Sequence, residues 1–150
     1  MSLPNSADFA LIKVQTAAGP PAVFTLLCGI EGVNINRTVQ TSERYQRDCA
    51  TPNRAGKRKL RVTGSSWSVT GNGSDNIDIE EEYEDAIGVR QIYHVELYKD
   101  DGTDAGDLMG TYAGTAILTT RNQAYSQDAD SGTTDITLEG EGDLVWTVAP

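Results

Sequence analysis

At 150 residues the chain fits one domain (1–150) with a sizeable core, and 38% hydrophobic against 23% charged residues places it among globular sequences. A formal net charge of −10, from 12 Lys/Arg and 22 Asp/Glu, repels phosphate over most of the surface and argues against tight nucleic-acid binding. Two cysteines and one histidine leave no ligand set for zinc or an iron–sulfur cluster, and no apolar run approaches the roughly 18 residues that cross a bilayer.

The N-terminal MSLPNSADF has neither a basic start nor an apolar stretch, so no secretory signal is read here and residence in a cytosol is expected. Residues 1–8 read as an N-terminal arm. FALIKVQ (9–15) is the first strand, ended by the GPP at 19–21, and 22–30 is the second. Cys28 lies in its apolar run FTLLCGI and is expected to be a buried thiol; a Cys28–Cys49 disulfide is disfavoured in a reducing compartment. GVNINRT (32–38) alternates with period two, the mark of a half-buried strand, and GIEG before it suits a tight hairpin.

Residues 40–59 follow no period and carry almost nothing to bury, so they are expected to form a long loop. Order returns at Leu60. Leu60 and Val62 have one parity, Trp67 and Val69 the other, and the switch across Gly64, Ser65 and Ser66 predicts a bulge or bend. NIDIEEEYEDAIG (76–88) is the one predicted helix, with Ile79, Tyr83 and Ala86/Ile87 as its apolar stripe, Ser74, Asp75 and Asn76 as candidate N-caps and Gly88 at the C-terminal turn. Its acidic run EEEYED reads as a solvated back. Strands follow at 89–99, 111–120 and 133–148. In the last, Ile136, Leu138, Leu144, Trp146 and Val148 share the parity expected to be buried, and Asp135, Glu139, Glu141 and Asp143 share the exposed one. The sum predicts a mainly β fold, an antiparallel β-sandwich or barrel with one flanking α-helix and a long loop.

The charge is unevenly divided. From Gln40 to Arg61 seven Lys/Arg (Arg44, Arg47, Arg54, Lys57, Arg58, Lys59 and Arg61) stand against two Asp/Glu, a local +5; the remainder holds five against twenty, or −15. No catalytic constellation accompanies this polarity. His94 sits mid-strand with no glycine-elbow serine, and GNGSDN (71–76) lacks the lysine of a phosphate-binding loop. Neither GNGSDNID nor DDGTDAGD has EF-hand spacing. No enzyme, metal or cofactor is therefore expected. A basic loop and an acidic strand face on one molecule instead fit a head-to-tail contact between copies, which generates rings or filaments rather than a closed dimer.

The order of parts also carries a resemblance. YAGTAILTTRNQAYSQDADSGTTDITLEGEGDLVW resembles the end of the tail tube (major tail) proteins of long, non-contractile bacteriophage tails: a small-residue strand with Gly114, Ala116, Ile117 and Thr119, a polar loop, then Gly140, Gly142 and Leu144. Upstream, GKRKLRVTGSSWSVTGNGSDN resembles that family's passage from a long loop into a strand carrying Trp67, Gly71 and Gly73, ahead of the helix; the likeness spans roughly residues 23–147.

The resemblance implies a self-assembling virion protein: hexameric rings stacked into a hollow tail tube, assembled in the bacterial host cytoplasm. Neighbouring sheets would join around a bore through which DNA passes without specific binding. The basic loop would be an inter-subunit contact, and Asp135, Glu139, Glu141 and Asp143 the candidate lumen-facing acids. Tail terminator, tape measure and distal tail proteins would be its partners. A related ring-forming tail or secretion-tube component shares these features. The alternative reading is a carbohydrate- or protein-binding β-sandwich module of a larger surface protein, whose usual sign, exposed aromatics clustered on one face, is weak because Tyr93, Tyr98 and Tyr112 are spread over two strands.

Overall fold

Residues 3–128 and 130–150 are described by the structure, a computed structural model; Met1 and Ser2 of the expected arm lie outside it. Its strands are β1 Phe9–Ala17, β2 Val23–Leu26, β3 Ile30–Gln46, β4 Lys57–Ser74, β5 Arg90–Lys99, β6 Asp107–Ala124 and β7 Thr133–Val148. A 3₁₀ turn, Ile77–Ile79, leads into the helix α1, Glu80–Ala86, between β4 and β5. All seven strands join one antiparallel sheet in the order β2-β1-β5-β6-β7-β4-β3. The fold is thus mainly β with one short helix, as the alternating patterns predict.

The sheet curls over itself, and a glycine shows how closely. A Cβ on Gly71 of β4 would stand 2.8 Å from Ile30 and 3.3 Å from both Ile12 and Ile136, although β1 and β4 are four places apart in the sheet. Alternate residues line the concave side: Ile12 and Val14 of β1, Val69 of β4, Tyr93 and Val95 of β5, Leu118 of β6, Ile136 and Leu138 of β7. The helix adds Ile79, Tyr83 and Ala86 to this core, three positions of its predicted stripe, whereas Ile87 stays exposed. Asn76 is the cap: its Oδ1 accepts from the Asp78 N–H at 3.1 Å and its Nδ2 donates to the Cys28 carbonyl at 3.3 Å. Gly88, at φ +73°, makes the turn after the helix.

Three sequence expectations are corrected, and the predicted bulge in β4 is found. Residues 40–46 and 57–59 belong to β3 and β4, so the long loop shrinks to 47–56. These stretches lack an apolar period because both faces are exposed, and main-chain pairing is what chiefly holds the strands together. Cys28 is exposed, and both cysteines are free; Leu27 takes the inward position beside it. Trp146 and Val148 keep the inward parity but are 41% and 68% exposed, because nothing covers the concave side at that end. The parity switch in β4 is a bulge at Thr63, between the pairs Gln40↔Gly64 and Thr41↔Val62, with the Thr63 hydroxyl donating to the Gln40 carbonyl at 3.2 Å. It does not move Leu60 and Val62 to the other face. It returns them to the side that Trp67 occupies.

Candidate functional site: a projecting ribbon and an acidic sheet face

β4 pairs with β7 only over Ser68–Ser74, whereas β3 and β4 remain paired out to Gln46↔Lys57. The outer halves of β3 and β4 therefore project past the body as a two-stranded ribbon, tipped by residues 47–56. At the tip, the Ala50 N–H donates to the Asp48 carboxylate at 2.9 Å, and Thr51 and Arg54 close two backbone turns. The Arg47 guanidinium donates to the Pro52 carbonyl at 3.4 Å.

The seven basic residues of the 40–61 segment are all exposed, but they do not form one patch. Register assigns Arg44, Lys57, Lys59 and Arg61 to one ribbon face, where Arg44 lies directly across from Lys59 and Ser42 from Arg61. Arg58 is on the opposite face across from Tyr45, 3.6 Å from the Glu43 carboxylate. Arg47 and Arg54 are in the tip. The face that carries Arg58 also carries Val39, Tyr45, Leu60 and Val62, each more than half exposed.

The acidic set divides too. Asp135, Glu139 and Glu141 form an exposed row on the convex side of β7. Glu139 lies across from Ser68 on one side and Ile117 on the other, and Glu141 takes an ion pair with Arg90 at 2.5 Å. Asp143 is outside the row. Between the pairs Thr115↔Glu141 and Ala113↔Val145 the β7 chain carries two extra residues, a detour that starts at Gly142 with φ +74°.

Two anchors hold the ribbon's root and the helix to the sheet, and neither is announced by the sequence. Trp67, where the ribbon leaves the body, lies over Gly114 and Gly140, and its indole N–H donates to the Gly142 carbonyl at 3.1 Å. Arg121 of β6, 4% exposed in its side chain, donates to both Glu80 oxygens at 2.7 and 2.8 Å. It also stands 3.6 Å from Asp75 and 4.0 Å over the Tyr83 ring. The Tyr125 hydroxyl closes the cluster by donating to Asp75 at 2.7 Å. Arg121 escapes a parity reading because a register shift between Leu118 and Thr120 turns it inward, opposite Ile136.

Hydrogen bonds from Arg121 hold the Glu80 carboxyl below its ordinary value of 4.5, against the opposing effect of burial. A carboxyl lowered in the folded state contributes stability above its unfolded value and loses it as pH falls through the folded one. Helix docking is therefore expected to weaken on acidification from about pH 4.5 downward, seen in tyrosine near-UV dichroism, and Glu80→Gln should flatten that dependence.

The binding-module alternative loses its aromatic face: Tyr93 is buried in the core, and Tyr112 pairs instead with Trp146, ring centroids 4.8 Å apart. Among the described residues no three His, Cys, Asp or Glu side chains converge as a metal site, and no helix is long and apolar enough to cross a membrane.

No protein-family profile matches the chain, and no curated protein matches it. Solved structures do match in fold. A chain from the tail of an empty gene transfer agent particle with C6 symmetry aligns at TM-score 0.66 and 19% identity, over 91% of this chain and 94% of that one. The SPP1 tail tube aligns at 0.65 and 15%, over 97% and 80%. A chain of the sheath–tube complex of an extracellular contractile injection system aligns at 0.63 and 16%, over 99% and 93%. The chain therefore has the fold found in tail and injection tubes.

Proposed function

We propose that this protein is a structural tail tube subunit that assembles with itself, in hexameric rings stacked into the conduit of a phage tail. The observation that carries the reading is the fold match, over 91% or more of this chain and 80% or more of the other, to chains of tails and tubes. Two features of this molecule support it. The sheet ends in β3, a 17-residue strand that pairs only with β4 among the described residues and whose outer half projects past the body, so another chain's strand can extend the ladder there. The ribbon exposes both of its faces.

In this reading the sheets of neighbouring subunits close around a bore. The row Asp135, Glu139 and Glu141 faces it and repels passing DNA, with Asp143 at its margin, while residues of the 40–61 segment contact the next subunit. Assembly takes place in the bacterial host cytoplasm and yields a virion component capped and measured by terminator, tape measure and distal tail proteins. Membership of a long non-contractile tail is the particular form proposed.

Electron microscopy of the concentrated, purified protein tests this directly: rings or rods of uniform bore are expected, and a particle that stays monomeric at every concentration and seed overturns it. Lys57→Glu/Arg58→Glu/Lys59→Glu is expected to leave a folded monomer that forms no tubes. Tubes of normal length from that variant would remove the cations of this segment from the interface.

A further inference from the structure

The charge of the 40–61 segment invites a contact made by its cations, and the ribbon's register points elsewhere. Four cations, Arg44, Lys57, Lys59 and Arg61, share one face with no carboxylate among them. The other face carries Val39, Tyr45, Leu60 and Val62, all exposed, with a single ion pair between Arg58 and Glu43. Alternation along β4 separates Leu60 and Val62 from Lys57, Lys59 and Arg61, and the bulge at Thr63 decides which set continues from the buried Trp67: without it the three cations would lie on that side, and with it the apolar pair does.

We infer that the apolar face of the ribbon, not its cationic face, is the surface that seats on a second copy of this chain. The inference rests on the tube reading above and specifies which side of the segment makes the contact. Three observations select another copy as the occupant. An isolated two-stranded ribbon is marginal in water, so this one needs a protein surface against it. Its apolar side is continuous with the chain's own core at Trp67, so a partner seated there extends a layer the fold already builds. The segment carries +5 and the rest of the chain −15, so a second copy attracts the ribbon at long range whichever face makes the contact. Exposed ion pairs are screened and add little, whereas covering four half-exposed apolar side chains adds much more. The cationic face then remains turned to solvent, where it sets salt dependence and solubility.

The test compares two double variants in full-length protein: Leu60→Ser/Val62→Ser on the apolar face and Lys59→Ser/Arg61→Ser on the cationic face. All four side chains are exposed, and near-UV dichroism checks that each monomer keeps its core. Critical concentration for assembly is read by sedimentation at about 0.15 M salt. The apolar pair is expected to raise it at least about tenfold. The cationic pair should shift it less than about threefold and flatten its salt dependence. The reverse ranking overturns the inference in favour of a cationic contact. Wild-type assembly by both variants also overturns it while leaving the tube reading intact. A wild-type protein that never assembles defeats the tube reading, and this inference with it.

Discussion

Arg121→Met is expected to cost about 3–5 kcal/mol of folding stability, the range for breaking a buried ion pair from one side. The side chain is almost fully buried and, among the described residues, is the one cation paired with Asp75 and Glu80, and its guanidinium lies over the Tyr83 ring. Methionine fills a similar volume, so the loss is electrostatic rather than a cavity. Asp75 then keeps a buried charge with only the Tyr125 hydroxyl to satisfy it. Glu80 is better placed, with its side chain 31% exposed, which puts the effect nearer the lower end of the range.

Urea unfolding measures this as a lower midpoint at unchanged slope. Arg121→Lys should recover part of the loss, since it restores the charge without the two-pronged hydrogen bond. Adding Asp75→Asn and Glu80→Gln to Arg121→Met should also recover part, because the stranded charges are gone. A cost below about 1 kcal/mol for Arg121→Met would place the helix's attachment in Ile79, Tyr83 and Ala86 alone.

The second large effect is expected at the ribbon's root. Trp67→Ala should destabilise by about 3–5 kcal/mol, as for other buried large-to-small changes. The indole fills the space above two glycines, so its removal opens a cavity that strands β6 and β7 cannot close without leaving their ladder. The complementary change overfills the same space. A Cβ on Gly140 would lie 2.1 Å from the ring, and one on Gly114 2.6 Å, so Gly140→Ala must expel the indole or bend β7. Its cost is expected at the upper end of the usual 1–3 kcal/mol for overpacking, roughly 3 kcal/mol.

Fluorescence in a Trp146→Phe background isolates Trp67, and a red-shifted native spectrum for Gly140→Ala would show the ring expelled into water. An unshifted spectrum with near-normal stability would mean that β7 moves more freely than its pairing to β4 and β6 implies. Because Trp67 is where the ribbon leaves the sheet, both variants should also impair assembly more than an equally destabilising change in β1.

The glycines and small residues that carry the resemblance to tail tube proteins have a physical meaning here. Gly114 and Gly140 seat the indole, the Gly142 carbonyl receives its N–H, and Ala116 is wholly buried beneath the same sheet face. Gly71 admits Ile12 and Ile30, and a Cβ on Gly73 would collide with the Gly29 carbonyl. A strand can spare its side chains at such positions only where another part of the chain fills the space.

Most of the architecture was legible from local physics. Period-two alternation marks a strand wherever one face is buried and the other wet, and β1, β5 and most of β7 follow it. The helix was legible for the matching reason: Ile79, Tyr83 and Ala86 make a stripe, with a cap residue before it and a glycine after it. The concentration of charge in residues 40–61 is likewise a property of sequence alone, and so is the acidic row of β7. The tertiary structure decided what has no local signal. Residues 40–46 and 57–59 are strands because each offers the other a main-chain ladder, and a ladder leaves no hydrophobic period when both faces are exposed. Which face a residue joins past a bulge depends on the partner strand's register, so Arg121, Leu60 and Val62 could not be assigned to a side from spacing. Burial, finally, depends on what lies opposite: Trp146 and Val148 have the parity of core residues, and remain open because nothing among the described residues covers them.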